Sequence, residues 1–183
     1  MILYHGTNVD FKEIDISKSN KYKDFGQGFY LTDIRMQAEQ LAVKKAKLFG
    51  GYPIIQEYEF DESLLNASDL NVLRFERPCK EWAEFVFNNR NKAINFSHDY
   101  DIVTGPIAND GVAYLLGRYE EGTLTIDDLA KELTFKELIN QIFFGSVRRL
   151  HVVLGLLYFN NNIFNHRFLA LFLRVGIVHL LAS

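Results

Sequence analysis

Cysteine is nearly missing from this chain: Cys79 is the single one among 183 residues. That excludes an internal disulfide and a Cys-based zinc site. A catalytic thiol would need an activating neighbour, and the sequence around Cys79 offers none. Positive charge is not in excess either, since 20 Lys and Arg face 23 Asp and Glu for a net charge of −3. This balance argues against a generic electrostatic hold on nucleic acid or an anionic membrane. The opening M-I-L-Y-H-G-T lacks the basic start and long apolar run of a signal peptide, so the expected location is the cytoplasm. Near the other end, Phe168–Ala182 is apolar but contains Arg174 and His179. It is shorter than the roughly 20 residues that a spanning helix needs. No internal repeat or low-complexity linker interrupts the chain.

What is present is apolar and aromatic. With 48% hydrophobic and 14% aromatic residues the chain can bury a full core, as one domain or one domain with an appendage. The densest stretch is Phe25–Asp33, F-G-Q-G-F-Y-L-T-D. Gly26 and Gly28 allow a tight turn, Phe29 to Thr32 favour a strand, and Thr32 or Asp33 suits the cap of a following helix. A glycine turn feeding an aromatic strand suits a flat ligand, with backbone groups for its polar edge and a ring for its face. It equally suits a plain hairpin.

The remaining elements follow from periodicity. Ile2–Tyr4 is a strand closed by His5-Gly6-Thr7, and residues 8–24 form a polar loop placed to cover a site. Asp33–Phe49 predicts a helix with Ile34, Ala38, Leu41, Ala42 and Phe49 inward and Lys44, Lys45 and Lys47 on a solvated face. Strands are expected at Ile54–Phe60 and Asn71–Phe75. A helix follows from Pro78 to about Lys92, carrying Trp82, Phe85, Val86 and Asn89 on one face. Ile102-Val103 is a strand turned by Gly105-Pro106, ahead of helices at Asn109–Tyr119 and Thr125–Leu133. Phe135–Gly145 ends in a strand entered through Asn140-Gln141. Asp99 and Asp101, beside His98, are metal-ligand types without an evident third ligand, so no metal is expected.

Four motifs in order carry a resemblance: L-Y-H-G-T, G-Q-G-F-Y-L-T, D-Y-D-I-V-T-G-P-I-A-N-D and N-Q-I-F-F. Their order resembles the ADP-ribosyltransferase fold, in the His–Tyr–Glu branch of diphtheria-toxin-like and poly(ADP-ribose) polymerase catalytic domains. More closely, they look like the bacterial family of uncharacterised domains called DUF3990, over residues 1–146. Residues 147–183 form an apolar extension outside that resemblance. The resemblance implies an α+β fold, a split pair of small mixed or antiparallel sheets with peripheral helices, gripping NAD in a cleft. His5 would bind the adenosine ribose, Gly6 would hold the nicotinamide amide through its backbone, and Tyr30 would pack on the nicotinamide ring. Gln141 stands where related enzymes place the catalytic glutamate, so His5, Tyr30 and Gln141 are the expected catalytic set. Thr7, Gly28, Phe29 and Thr32 lie in the same motifs and complete the expected NAD-binding residues.

Two departures bear on activity. Glutamine supplies a dipole where relatives supply a charge, which argues against polymer elongation. Ala38 and Leu41 stand where polymerase-like relatives carry a serine and a second stacking tyrosine. The resemblance therefore implies an NAD-dependent mono-ADP-ribosyltransferase acting on a macromolecular acceptor, protein or nucleic acid, without a metal. The alternatives are a catalytically inactive NAD-binding or interaction module of the same fold, or an NAD glycohydrolase. On the same reading, Gln141→Glu is expected to speed nicotinamide release by adding charge.

Overall fold

Apolar residues recurring with periods near 2 and 3.6 fold here as short strands and helices. A computed structural model describes residues 1–108, 110–133, 139–146 and 154–157. In chain order the elements are β1 (Ile2–Thr7), β2 (Phe29–Leu31), α1 (Arg35–Phe49), β3 (Ile54–Phe60), β4 (Val72–Arg74) and α2 (Lys80–Arg90). They continue with β5 (Ile102–Pro106), α3 (Asp110–Glu120), α4 (Ile126–Leu133), β6 (Asn140–Phe144) and β7 (Leu154–Leu157). The architecture is α+β, with two small sheets.

The first sheet has the order β1-β3-β7 and is antiparallel, Ile2 lying opposite Glu59 and Thr7 opposite Ile54. Strand β7 comes from the apolar stretch beyond residue 146; Phe168–Ala182 lies outside the described residues. The second sheet has the order β2-β6-β5-β4, antiparallel except where β4 runs parallel to β5. Among the described residues a single bridge, Tyr4 to Thr32, joins the two sheets at one corner.

Strand alternation assigns each face of the second sheet a different core. Phe29, Leu31, Ile102, Ile142 and Phe144 point toward the first sheet and meet Leu3, Tyr58 and Phe60. Val103 and Phe143 point the other way. With Phe25 they pack on Trp82 and Val86 of α2, Val112 of α3, and Leu129 and Leu133 of α4. Trp82 is fully buried, and its indole N–H donates to the Pro106 carbonyl at 3.2 Å. The expected inward face of α2 is the observed one, Trp82, Phe85, Val86 and Asn89 all being buried.

Four local expectations are corrected. Of the residues expected inward on the first helix only Ala38 and Ala42 are buried, and Ile34, Leu41 and Phe49 are exposed, because only the small-residue stripe can lie against the β1 backbone. His5-Gly6-Thr7 does not close the first strand but continues it, because β3 supplies partners as far as Ile54. Gly105 and Pro106 likewise stay in β5, opposite Gln141 and Asn140, with proline at the strand end where its missing N–H is tolerated. Helix α2 starts at Lys80 rather than within reach of Pro78, since the Cys79 sulfur caps it by accepting from the Trp82 amide at 3.4 Å. Among the described residues no helix is long and apolar enough to cross a membrane.

Helix α1 lies directly on β1. A side chain at Gly6 would place its Cβ 2.1 Å from the Ala38 carbonyl oxygen, an approach only glycine permits. Gly6→Ala is therefore expected to cost about 3 kcal/mol or more in urea unfolding, at the upper end of overpacking penalties because the obstacle is backbone. Wild-type stability in that variant would show that α1 does not sit on β1.

Candidate functional site

The turn that opens Phe25–Asp33 is held by the tyrosine of the same stretch. Gly26 adopts φ +84°, the Tyr30 hydroxyl donates to the Gly26 carbonyl at 2.7 Å, and the Phe25 amide donates to that hydroxyl at 3.1 Å. Burial pushes the Tyr30 phenol well above its usual range, so it stays neutral. Its ring meets Phe143 edge-on at 5.3 Å, and the Lys23 ammonium lies 4.5 Å from its centroid. Where a flat ligand was expected against this ring, a cation stands beside it.

His5 reaches β2 from the sheet's open edge. Its Nδ1 lies 2.8 Å from the Tyr30 carbonyl oxygen, which only accepts, so Nδ1 carries the hydrogen and Nε2 is left as an acceptor. The ring stacks on Phe29 at 4.6 Å between centroids and meets Phe11 edge-on at 5.8 Å. Burial, and next the positive charge of Lys45, lower the imidazole to about 3. His5 is therefore neutral at physiological pH.

Gln141 and Tyr30 share a face of the second sheet, because Tyr30 lies opposite Phe143 and Gln141 is two residues from it. His5 instead stacks on Phe29, whose side chain leaves β2 on the opposite face. His5 and Tyr30 are linked through the Tyr30 carbonyl, while Gln141 lies on the adjoining strand β6 bonded to Asp24, so the three do not line one wall. Gln141 is buried, and its Nε2 donates to Asp24 Oδ2 at 2.9 Å. That same oxygen accepts the Ala108 amide at 2.8 Å, while Asp24 Oδ1 accepts from Arg90 Nε at 2.8 Å. Asp24 is itself buried. One amide hydrogen of Gln141 is thus fixed on an anion, which turns the amide oxygen away from it.

Gly6 presents backbone to the cleft between the sheets. Tyr4 exchanges both backbone hydrogen bonds with Thr32, so alternation directs the polar edge of Gly6 to the same side, past the end of the bridge. There the Lys45 ammonium donates to the Gly6 carbonyl at 2.8 Å. Burial, and next the charge of Lys23, lower Lys45 to about 8. The other sequence-predicted residues are engaged locally. Thr7 makes a hydroxyl turn with Val9, and Gly28 packs against the Phe143 ring. The Thr32 hydroxyl accepts the Ile34 amide and donates to Gln37 at 2.8 Å, steadying the start of α1.

Other features stand apart from this site. Asp99 and Asp101 both bond Asn71, bracing the chain ahead of β5. Among the described residues no three His, Cys, Asp or Glu side chains gather as a metal group. A cavity of about 480 Å³ lies between α2 and α3, bordered by Arg90, Lys92, Leu116 and Glu120. It includes none of His5, Tyr30 and Gln141, and its lining has no converging polar set like that at the β2 edge.

Sequence reasoning missed Lys23, Asp24 and Lys45. Lys45 carried a usable signal: Ala38, Ala42 and Lys45 stand at i, i+4 and i+7, the stripe of α1 that faces β1. Asp24 and Lys23 sit in a polar run with no such marker. The family model described as "Protein of unknown function (DUF3990)" matches residues 1–154, and the chain belongs to that family. Neither the curated proteins nor the solved structures hold a match to it.

Two pH experiments follow. The unfolded chain takes up a proton on His5 that the folded chain refuses between about pH 6.5 and 3. Stability should be full above that window and fall as pH drops through it, with His98, also lowered by burial, adding in the same direction. His5→Gln should flatten the slope of melting temperature against pH; an unchanged slope would place the imidazole in water. For Gln141→Glu the contact with Asp24 reverses the expectation from sequence. Two carboxylates would meet in a buried place, and one would hold its proton above the usual range. The variant should lose stability relative to wild type as pH rises from 5 to 8, read as melting temperature.

Proposed function

We propose that this DUF3990 domain is an NAD-dependent mono-ADP-ribosyltransferase with an ADP-ribosyltransferase-like fold, acting on a macromolecular acceptor. The observation that carries the reading is the meeting of His5, Gly6 and Tyr30 at the open edge of β2, with Gln141 on the adjoining strand. A neutral imidazole with Nε2 as acceptor fits a ribose hydroxyl. A backbone edge at Gly6, free of side chain, fits a carboxamide that both donates and accepts. Tyr30 offers an aromatic wall, and Gln141 offers an amide oxygen polarised by the Asp24 anion at the other end of the group.

The reaction asks little more of the protein. An acceptor atom bonds the ribose carbon while the bond to nicotinamide breaks, its electron pair neutralising the ring nitrogen, and the acceptor loses a proton to solvent. Positive charge grows at the ribose carbon, so orientation and fixed dipoles supply the acceleration. The negative charge nearest Gln141 belongs to Asp24, which holds a second amide and Arg90 besides. Gln141 thus conveys a dipole rather than a charge, consistent with single transfer rather than chain elongation.

One observation favours a second reading, an inactive NAD-binding module: the Gly6 carbonyl already holds the Lys45 ammonium. Incubation with NAD labelled on its adenylate and a cell lysate separates the two. Transfer predicts label on protein or nucleic acid, stoichiometric nicotinamide release, and loss of both by at least 100-fold in His5→Ala. Gln141→Ala should lower release about 10-fold with the fold intact. Bound NAD without either product would establish the inactive module, and free ADP-ribose alone a glycohydrolase.

A further inference from the structure

Two half-buried cations stand beside Gly6 and Tyr30 with no ion pair among the described residues. Lys45 projects from the inner stripe of α1, its ammonium 2.8 Å from the Gly6 carbonyl oxygen. Lys23 ends the polar loop, its ammonium 4.5 Å from the centre of the Tyr30 ring. Neither makes an ion pair among the described residues, whereas Arg35 pairs with Glu39 and Glu57, and Arg90 pairs with Asp24. The charge of Asp24, next to Lys23 in sequence, acts on it, but the carboxylate's hydrogen bonds go to Arg90, Gln141 and the Ala108 amide. A carbonyl dipole and a ring face are weak partners for a desolvated ammonium. The positive charge of each lysine acts on His5, and that of Lys23 on Lys45, so the two stand within electrostatic range of one another.

We propose that Lys23 and Lys45 form an anion-binding subsite at the β2 edge that takes a phosphoanhydride, the doubly charged diphosphate of pyrophosphate or of a nucleotide. A diphosphate supplies two anionic centres for two ammonium groups, and lysine serves phosphate as a point charge without a fixed angle. Turning Lys45 onto the anion releases the Gly6 carbonyl, so anion binding and exposure of that backbone edge are one event. As the diphosphate grip of a dinucleotide this deepens the reading above and rests on it. As an anion site it stands on the two lysines alone.

Calorimetric titration with inorganic pyrophosphate, ADP-ribose and NAD tests it, on the full chain and on Lys23→Met, Lys45→Met and the double variant. Pyrophosphate should bind the wild type with an affinity that falls with salt, at least 10-fold weaker in each single variant and absent in the double. ADP-ribose should follow the same order. His5→Ala should keep pyrophosphate while losing NAD affinity; pyrophosphate binding in a wild type that ignores NAD would retain the subsite and overturn the NAD reading. A second measurement uses the unaltered protein: pyrophosphate should slow acetylation of Lys45 and Lys23 at least 5-fold relative to Lys44, followed by peptide mass. No pyrophosphate binding at millimolar concentration, equal affinity in a folded double variant, or unprotected lysines would overturn the proposal.

Discussion

A buried carboxylate cannot stay charged unless neighbours replace the water it loses, and Asp24 recruits them from three distant parts of the chain. Arg90 comes from the end of α2, the Ala108 amide from the link between β5 and α3, and Gln141 from β6. Satisfying one side chain therefore sets where the helical layer meets the second sheet. It also fixes the start of the turn that carries Phe25 to Tyr30. The identity of residue 141 becomes intelligible in these terms. An amide can donate to the anion, whereas a carboxylate there would confront it.

The two sheets share an apolar core and, among the described residues, are joined by one backbone bridge, and the edge beside that bridge is lined by groups with unspent bonding capacity. Backbone at Gly6 faces it because α1 and β3 occupy the other sides of that residue. The imidazole of His5 enters from the rim, oriented by a main-chain carbonyl that no strand partner claims. Two ammonium groups complete the lining. Apolar cores on either face of the second sheet hold this rim in place, so its geometry derives from packing that takes no part in chemistry.

Much of the framework was legible because it rests on periodicity. Ile54–Phe60 alternates and is a strand with those bounds, and the Trp82, Phe85, Val86, Asn89 face of α2 is the buried one. Local chemistry misled where tertiary partners intervened. His5-Gly6 reads as a turn until β3 is laid beside it, and Lys45 reads as solvated until its place on the Ala38–Ala42 stripe is noticed. At the site, His5, Gly6, Tyr30 and Gln141 were visible only as an ordered set of short motifs. Asp24 was invisible, since its significance lies entirely in contacts with residues far along the chain, Gln141 being 117 positions away.

That separation bears on how the molecule comes into being. In the second sheet β6 lies between β2 and β5, yet it is synthesised after both. Until residues 140–144 have emerged from the ribosome, β2 has no neighbour within its own sheet. Phe29, Leu31 and Ile102 then lack the strand that later covers their flank. Loop closure over so long a stretch is slow compared with helix formation. The helices and the β1–β3 pair should thus precede the rim in time, leaving an unpaired aromatic edge as the species that chaperones, or other nascent chains, would meet.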